Sequence, residues 1–217
     1  DALATPVWTV SPRAAWDNAA KRVDAEDLAA DAAWRTCATP EAIRARQAVL
    51  HAAMLKAVGG FPARCPLDAR VTGVVPRDGY RIEKVLFQSQ PGLHVTALLF
   101  RPDGPGPFPA LALACGHDDG GKGCPDYQRG AVMGAKSGFA VLVYDPLSQG
   151  ERMQGKGTPP HVHGHNALGA RAAMLGWSMA RFRIWDAMRA LDYLDSRTDI
   201  VHDGYGFMGN SGGGTVT

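Results

Sequence analysis

The chain has 217 residues, a formal net charge of +2 and a hydrophobic fraction of 46%, values typical of an ordinary globular protein with one main core. Without a run of Lys or Arg there is no electrostatic footprint for nucleic acid or an anionic membrane. No apolar stretch approaches the roughly 20 residues of a membrane-spanning helix. We therefore expect neither a nucleic-acid partner nor a membrane span.

The first part of the chain is predicted to be helical, because Ala-rich segments with interspersed charges run from Pro12 to Arg35 and from Pro40 to Val58. Thr39 is suited to cap the second segment, whose first-turn proline is tolerated there. We assign residues 1–68 to a helical N-terminal extension and residues 69–217 to the main domain.

After Ala69 the pattern changes to short segments rich in Val, Ile, Leu and Phe, separated by Pro and Gly turn signals. Residues 71–75, 80–88 and 94–101 are predicted to be turn-linked strands. The Pro- and Gly-rich stretch 101–109 is predicted to be an exposed connection.

Strands then alternate with helices. The predicted elements are strands at 110–115, 139–144 and 205–208 and helices at 127–137 and 166–195. This alternation indicates an α/β fold with a mostly parallel sheet, preceded by antiparallel strands and covered on both faces. Ligands in such sheets bind at the carboxyl ends of the strands.

A Gly-Asn-Ser-Gly-Gly motif follows the last predicted strand and places Ser211 between Gly209 and Gly213. In a strained strand-to-helix turn, small residues two before and two after the serine are needed where backbones crowd. A Gly-rich connecting turn is the alternative. The preceding strand and the repeated strand-helix pattern favour Ser211 as a nucleophile, with the Gly212 amide as an oxyanion donor.

The loop after an earlier strand, residues 115–123, is rich in glycine and is the expected source of a second oxyanion donor. We predict that the backbone amide of His117 is this donor, with Asp118 as the next choice. The imidazole of His117 is expected to do no more than hydrogen-bond to its neighbours.

The loop after the next strand, residues 144–152, opens at the same end of the sheet. Asp145, Glu151 and Arg152 are predicted to form an ion-pair network that supports the site, an interpretation that we favour over a direct catalytic role.

Three histidines at 161, 163 and 165 suggest zinc, because alternate residues of an extended segment face the same way. No carboxylate or cysteine of matching spacing accompanies them, so we predict no metal site. His165 is expected to support the site.

The four cysteines permit disulfides without requiring them. Cys37 and Cys65 flank a helix-like segment, and we favour a disulfide between them, which would persist only in an oxidising compartment. Cys115 is predicted to be a buried thiol, and Cys124 is undecided.

A serine hydrolase needs a histidine base and an acid that orients it, which in this arrangement follow the nucleophile. Only residues 212–217 follow Ser211. We therefore expect the C-terminal half of the fold, with the acid and the histidine, to lie elsewhere in the same chain or in a second one.

Many short segments together resemble one family. They are Arg46-Gln47, Cys65-Pro-Leu67, Asp78-Gly-Tyr80, Ser89-Gln-Pro-Gly92, Cys115-Gly-His117, Gly121-Lys122, Tyr127-Gln128, Tyr144-Asp-Pro146, Gln149-Gly-Glu-Arg152, His165-Asn166, Trp185-Asp186, Arg189-Ala-Leu-Asp-Tyr-Leu194 and Gly209-Asn-Ser-Gly-Gly-Gly-Thr215. From about Arg46 onward, the chain resembles the acetyl xylan esterase-like branch of the α/β-hydrolase superfamily, related to dienelactone hydrolases and cephalosporin-C deacetylases.

The resemblance implies an α/β-hydrolase fold ending here at the nucleophile elbow, and a cofactor-free serine esterase acting on acetylated polysaccharide such as xylan. It also implies a bacterial protein that is secreted or located in the periplasm or cell envelope. Two alternatives are a general carboxylesterase or peptidase on the same fold and a non-catalytic, polysaccharide-binding domain.

Overall fold

The computed structural model describes residues 13–153 and 162–217. Two compact units are distinguished, Asp1–Met54 and Leu55–Thr217. The first contains α1 (Ala14–Arg35) and most of α2 (Pro40–Val58). The proposed domain boundary between residues 68 and 69 stays a prediction.

Both N-terminal helices lie where the Ala-rich pattern placed them. The α2 helix is capped by Thr39, whose Oγ1 accepts a hydrogen bond from the Ala42 amide at 3.2 Å, as its sequence predicted. No residue of α1 is buried.

The second unit is built on a six-stranded sheet in the order β1-β2-β3-β5-β4-β6. The strands are β1 (Arg70–Arg77), β2 (Tyr80–Gln90), β3 (Leu93–Pro102), β4 (Phe108–Ala114), β5 (Ala140–Tyr144) and β6 (Ile200–Gly209). The pairs β1-β2, β2-β3 and β3-β5 are antiparallel, whereas β5-β4 and β4-β6 are parallel. The predicted mixture of antiparallel N-terminal strands and a parallel sheet is confirmed.

Four α-helices follow β4 among the described residues of this unit. They are α3 (Pro125–Lys136), α4 (Val162–Met174), α5 (Met179–Asp195) and the short α6 (Gly212–Val216). The sheet is covered by α5 on one face and by α3 on the other. One core cluster lies between the sheet and α5 and includes Phe87, Leu99 and Leu142, and a second lies between the sheet and α3. The alternation of β4, α3, β5, α5 and β6 brings three strand ends to one edge.

The prediction of one helix over residues 166–195 was wrong, because the segment is broken between α4 and α5. Gly176 adopts a φ of 72°. Its amide and that of Trp177 donate to the carbonyls of Ala173 and Ala172, the pattern of a Schellman C-cap. Ser178 then caps α5 by accepting a hydrogen bond from the Arg181 amide.

The β6 strand begins at Ile200, five residues before the predicted start at Tyr205. Its irregular beginning is shown by the register shift between the Phe108–Ile200 and Ala110–Tyr205 pairs. The polar residues His202 and Asp203 obscured this part of the strand in the sequence, because strands buried on both faces are expected to be continuously apolar.

The predicted disulfide between Cys37 and Cys65 is not formed, and all four cysteines are free thiols. The Sγ of Cys37 donates to the Ala33 carbonyl at 3.4 Å, whereas the Sγ of Cys65 accepts from Nε2 of Gln88 at 3.8 Å. Cys115 is buried as predicted, and this burial raises the pKa of its thiol far above the ordinary value.

Within residues 13–153 and 162–217, no helix combines the length and the apolar composition that crossing a bilayer needs.

Candidate active site

Ser211 lies in a sharp turn between the end of β6 at Gly209 and the start of α6 at Gly212. Its backbone has φ 53° and ψ −120°, a conformation that is uncommon for a residue with a Cβ. The residue is exposed at the carboxyl edge of the sheet. A strained turn of this kind projects the serine hydroxyl away from the sheet.

The two glycines of the motif are required by backbone crowding. A Cβ added to Gly209 would overlap the backbone of Gly213, and a Cβ added to Gly213 would overlap the carbonyl of Ala114 in β4. The spacing of these glycines around Ser211 therefore has the steric cause that the sequence suggested.

The glycine-rich loop after β4 lies directly against the Ser211 turn. A Cβ added to Gly116 would lie 2.5 Å from the Asn210 carbonyl oxygen and 3.0 Å from Cβ of Ser211. The Gly116 amide donates to the Tyr127 hydroxyl at 2.7 Å, which also hydrogen-bonds to the side chain of Asn210. Tyr127 thus connects α3 to both loops, and burial raises the pKa of its hydroxyl.

His117 and Gly212, the two predicted oxyanion donors, are neighbours in space. A Cβ added to Gly212 would lie 3.0 Å from Cε1 of His117 and 3.1 Å from Nη1 of Arg183. The structure therefore brings Ser211, Gly212 and His117 together at one point.

Asp118 shapes its own loop. Its carboxylate accepts a hydrogen bond from the Gly120 amide at 2.8 Å, and its carbonyl accepts from Nε2 of Gln149 at 3.0 Å. These contacts tie residues 118–120 to the loop that follows β5.

Asp145 is completely buried at the end of β5 and collects donors from three segments. Its Oδ1 accepts from the Lys122 amide at 2.8 Å. Its Oδ2 accepts from Thr96 Oγ1 at 2.6 Å, the Glu151 amide at 3.1 Å and Nζ of Lys122. A carboxylate can satisfy this number of donors because its two oxygens offer about four lone-pair sites.

Two glycines pack onto the same carboxylate. Gly121 has φ 51° and Gly150 has φ 55°, and a Cβ on either would overlap the Asp145 side chain. Glycine is required at both positions by the left-handed backbone and by the close approach. The loops after β4 and β5 thus meet on Asp145.

Glu151 and Arg152 belong to the same cluster. Nζ of Lys122 bridges the buried Asp145 and Glu151, whose side chain is 71% exposed. Arg152 donates to the Asp145 carbonyl at 3.0 Å and to Asp186 of α5 at 2.6 Å. The three charged residues of this loop therefore lie together, with Lys122 joining Asp145 to Glu151 and the Asp145 carbonyl holding Arg152.

His165 lies in α4, but its side chain and those of the other two histidines fall outside the described residues. Among the described residues, no group of three or more His, Cys, Asp or Glu side chains could hold a metal ion. A supporting role for His165 stays a prediction.

Sequence reasoning did not assign a role to Gln149 or Arg183. Gln149 is completely buried and connects the Gly116 and Asp118 carbonyls to the guanidinium of Arg183. Burial and the nearby Arg152 lower the pKa of Arg183. For Gln149 the available signal was a polar side chain in a loop at the carboxyl edge of the sheet, whereas Arg183 in α5 gave none.

No protein-family model and no curated protein matches the chain, but solved structures do. A protein from Bacteroides fragilis assigned as an acetyl xylan esterase (BF1801) matches with a TM-score of 0.67 and 23% identity, covering 80% of this chain and 48% of that one. The acetyl xylan esterase from Paenibacillus sp. R4 has a TM-score of 0.54 and 25% identity, covering 70% and 48%. The methylesterase BT1017 has a TM-score of 0.66 and 24% identity, covering 86% and 40%.

The sheet order and these similarities define the class: the chain has the α/β-hydrolase fold. Within that fold, its structural neighbours are acetyl xylan esterases and a methylesterase, which match the branch that the sequence resembles. The chain spans about half the length of these solved structures.

Proposed function

We propose that this chain carries the nucleophile and the oxyanion donors of a serine ester hydrolase. The observation that carries the proposal is the turn at Ser211, where a non-glycine residue is held at positive φ against Gly116, and the next residue, Gly212, lies against His117. Acyl transfer requires an exposed nucleophile beside groups that can donate hydrogen bonds to the oxyanion, and we assign these roles to Ser211 and to the amides of Gly212 and His117.

The reaction would proceed in two steps. Oγ of Ser211 forms a bond to the ester carbonyl carbon, its proton passes to a histidine base, and the amides of Gly212 and His117 hold the oxyanion. The bond to the alcohol then breaks, and the alcohol leaves with that proton. Water hydrolyses the acyl-enzyme to release the acid and regenerate Ser211.

The Gly212 amide is suited to the proposed role by its position at the start of a helix. Gly212 is the first residue of α6, and the first amides of a helix have no partner within it. Because α6 is short, its dipole is small, but the positive end lies at Gly212 and has the favourable sign for a developing anion. The base and the acid are expected later in the fold, beyond Ser211.

For the substrate, we propose an acyl ester, with acetyl esters of a carbohydrate such as xylan as the first choice. The names of the neighbours from Bacteroides fragilis and Paenibacillus sp. R4 support this choice. Secretion, or a location in the periplasm or cell envelope, belongs to the same proposal.

The first test is labelling of the natural full-length protein with a fluorophosphonate probe. The probe phosphonylates an activated serine with loss of fluoride, so we expect one label at Ser211, located by peptide mass spectrometry. Ser211→Ala should abolish labelling and lower ester turnover by at least about 10³-fold. The matched control is Ser196→Ala at the exposed end of α5, which should label normally. Labelling that survives Ser211→Ala would contradict the proposal, and a folded protein that does not label would favour a non-catalytic, polysaccharide-binding domain.

A substrate panel then separates the enzyme alternatives. Acetylated xylan and aryl acetate should be hydrolysed faster than aryl esters of longer acyl chains or peptide amides. Preference for long acyl chains would indicate a general carboxylesterase, and cleavage of amides would indicate a peptidase.

A further inference from the structure

Gln149 joins the loops that follow β4 and β5, and both the NH₂ group and the oxygen of its side-chain amide are hydrogen-bonded. The Nε2 group donates to the carbonyl oxygen of Gly116 at 2.6 Å and to that of Asp118 at 3.0 Å. Its Oε1 accepts from Nη2 of Arg183 at 2.9 Å. Because carbonyls only accept and a guanidinium only donates, these partners allow one orientation of the amide.

The two carbonyls that Gln149 holds lie on either side of His117. In a planar trans peptide the C=O and the following N–H point in opposite directions. Fixing the Gly116 carbonyl toward Gln149 therefore directs the His117 N–H away from Gln149. The hydrogen bond to the Asp118 carbonyl fixes the peptide that follows Asp118.

Gly116 is held from its other side as well. Its amide donates to the Tyr127 hydroxyl at 2.7 Å, so that both of its backbone polar groups are occupied by buried side chains. This leaves little rotational freedom about Gly116, the residue with the fewest intrinsic restrictions on its backbone.

Arg183 links this arrangement to the second donor. Its guanidinium is buried, holds Oε1 of Gln149, and lies against Gly212, where an added Cβ would be 3.1 Å from Nη1. One hydrogen-bonded chain thus runs from α5 to the peptide that carries the His117 amide and to the carbonyl of Asp118, past the first residue of α6.

We propose that Gln149, oriented by Arg183, is a positioning residue that aims the His117 amide at the oxyanion. The inference rests on the proposed function. A preorganised donor matters most where charge develops, so the effect of Gln149 should fall on the chemical step and not on substrate binding.

The test compares two glutamines that grip the same loop. Gln149→Glu keeps the length and the acceptor for Arg183, but an ionised carboxylate cannot donate to the two carbonyls. Gln128 also donates to a carbonyl of this loop, that of Lys122, at 2.6 Å, and does not hold the peptides around His117. Gln128→Glu is therefore the matched control. If Gln149→Glu does not fold by circular dichroism, Gln149→Asn serves instead, since its shorter chain cannot reach both carbonyls.

For the full-length protein acting on an aryl acetate, we expect the Gln149 variant to lower kcat by about 10–100-fold, less than the loss of an entire oxyanion donor. KM should change by less than about 3-fold. Affinity for a boronic acid, which mimics the tetrahedral state, should fall in parallel with kcat. Gln128→Glu should change each quantity by less than about 3-fold.

Equal losses in both glutamine variants, or a kcat within about 2-fold of wild type in a folded Gln149 variant, would overturn the inference alone. A wild-type protein that neither labels at Ser211 nor hydrolyses esters would overturn the proposed function, and this inference with it.

Discussion

Two networks of charged side chains lie at opposite ends of the sheet and are built differently. At the carboxyl end of β5, Asp145 binds two backbone amides, a hydroxyl and an ammonium group. At the other end, Asp199 receives the fork of Arg197 at 2.8 Å from Nε and 2.8 Å from Nη2, and Nε of Arg101 at 2.6 Å.

The difference lies in what each carboxylate organises. Both backbone amides that donate to Asp145 come from the loops after β4 and β5, so the carboxylate replaces backbone pairing that those loops lack. The partners of Asp199 are side chains anchored elsewhere. Arg197 also contacts Glu83 and the Tyr193 hydroxyl. The loops after β4 and β5 therefore depend on one buried group, whereas the network around Asp199 has several redundant contacts.

The largest expected effect comes from Asp145→Asn. The asparagine would present an NH₂ group to donors and leave Lys122 without its buried counter-charge, so the free energy of unfolding should fall by about 3–5 kcal/mol. Urea unfolding measures it. The control is Asp126→Asn in the exposed pair with Arg129, expected to cost less than about 0.5 kcal/mol. A loss below about 1 kcal/mol for Asp145→Asn would remove the contrast between the two networks.

Asp199→Asn should have a smaller effect, about 1–2 kcal/mol, because both arginines keep other partners. Hydrogen bonds from Arg197, followed by the one from Arg101, hold the pKa of Asp199 well below its ordinary value. A carboxyl whose pKa is lower in the folded than in the unfolded state stabilises the folded protein at a pH above the unfolded-state pKa. This contribution is lost as the pH falls toward the folded-state pKa.

The stability gap between wild type and Asp199→Asn should therefore be widest above about pH 5 and should narrow toward about pH 2. Thermal unfolding across this range tests the sign. A gap that widens on acidification would contradict the assignment of Asp199 as an ion-paired carboxylate.

The smallest effect is expected from Glu151→Gln. This side chain is 71% exposed, and Lys122 retains Asp145 without it, so the change in unfolding free energy should stay below about 0.5 kcal/mol. Ester turnover should also be unchanged. A loss comparable with that of Asp145→Asn would mean that the two carboxylates act as one unit with Lys122.

Much of the fold could be predicted because most strands have clear sequence patterns. The runs in β4 and β5 are continuously apolar, and the Asp78-Gly79 turn between β1 and β2 has a strong local signal. The Gly209–Gly213 spacing identified Ser211 as a candidate because steric crowding in the turn requires glycine at both positions. The break at Gly176 was also readable, since a glycine and then a capping serine mark a helix end and a helix start.

Other contacts of the candidate site could not be predicted from the sequence. Gln149 and Lys122 act through contacts with residues distant in sequence, and a polar loop residue gives no sign of which carbonyl it will meet. The expected Cys37–Cys65 bond failed for a similar reason, since flanking a helix does not place two sulfurs within bonding distance. The roles assigned to Ser211, Gly212 and His117 stay predictions until the labelling and kinetic experiments are done.

The left-handed backbone at Ser211 also limits which side chains could replace the proposed nucleophile in this turn. Cysteine has the same single substituent on Cβ and could occupy the turn, so a thiol could replace the hydroxyl by one substitution. Threonine could not do so easily, because a branched Cβ is a genuine outlier at positive φ. The backbone of this turn therefore favours a side chain with an unbranched Cβ over one with a branched Cβ.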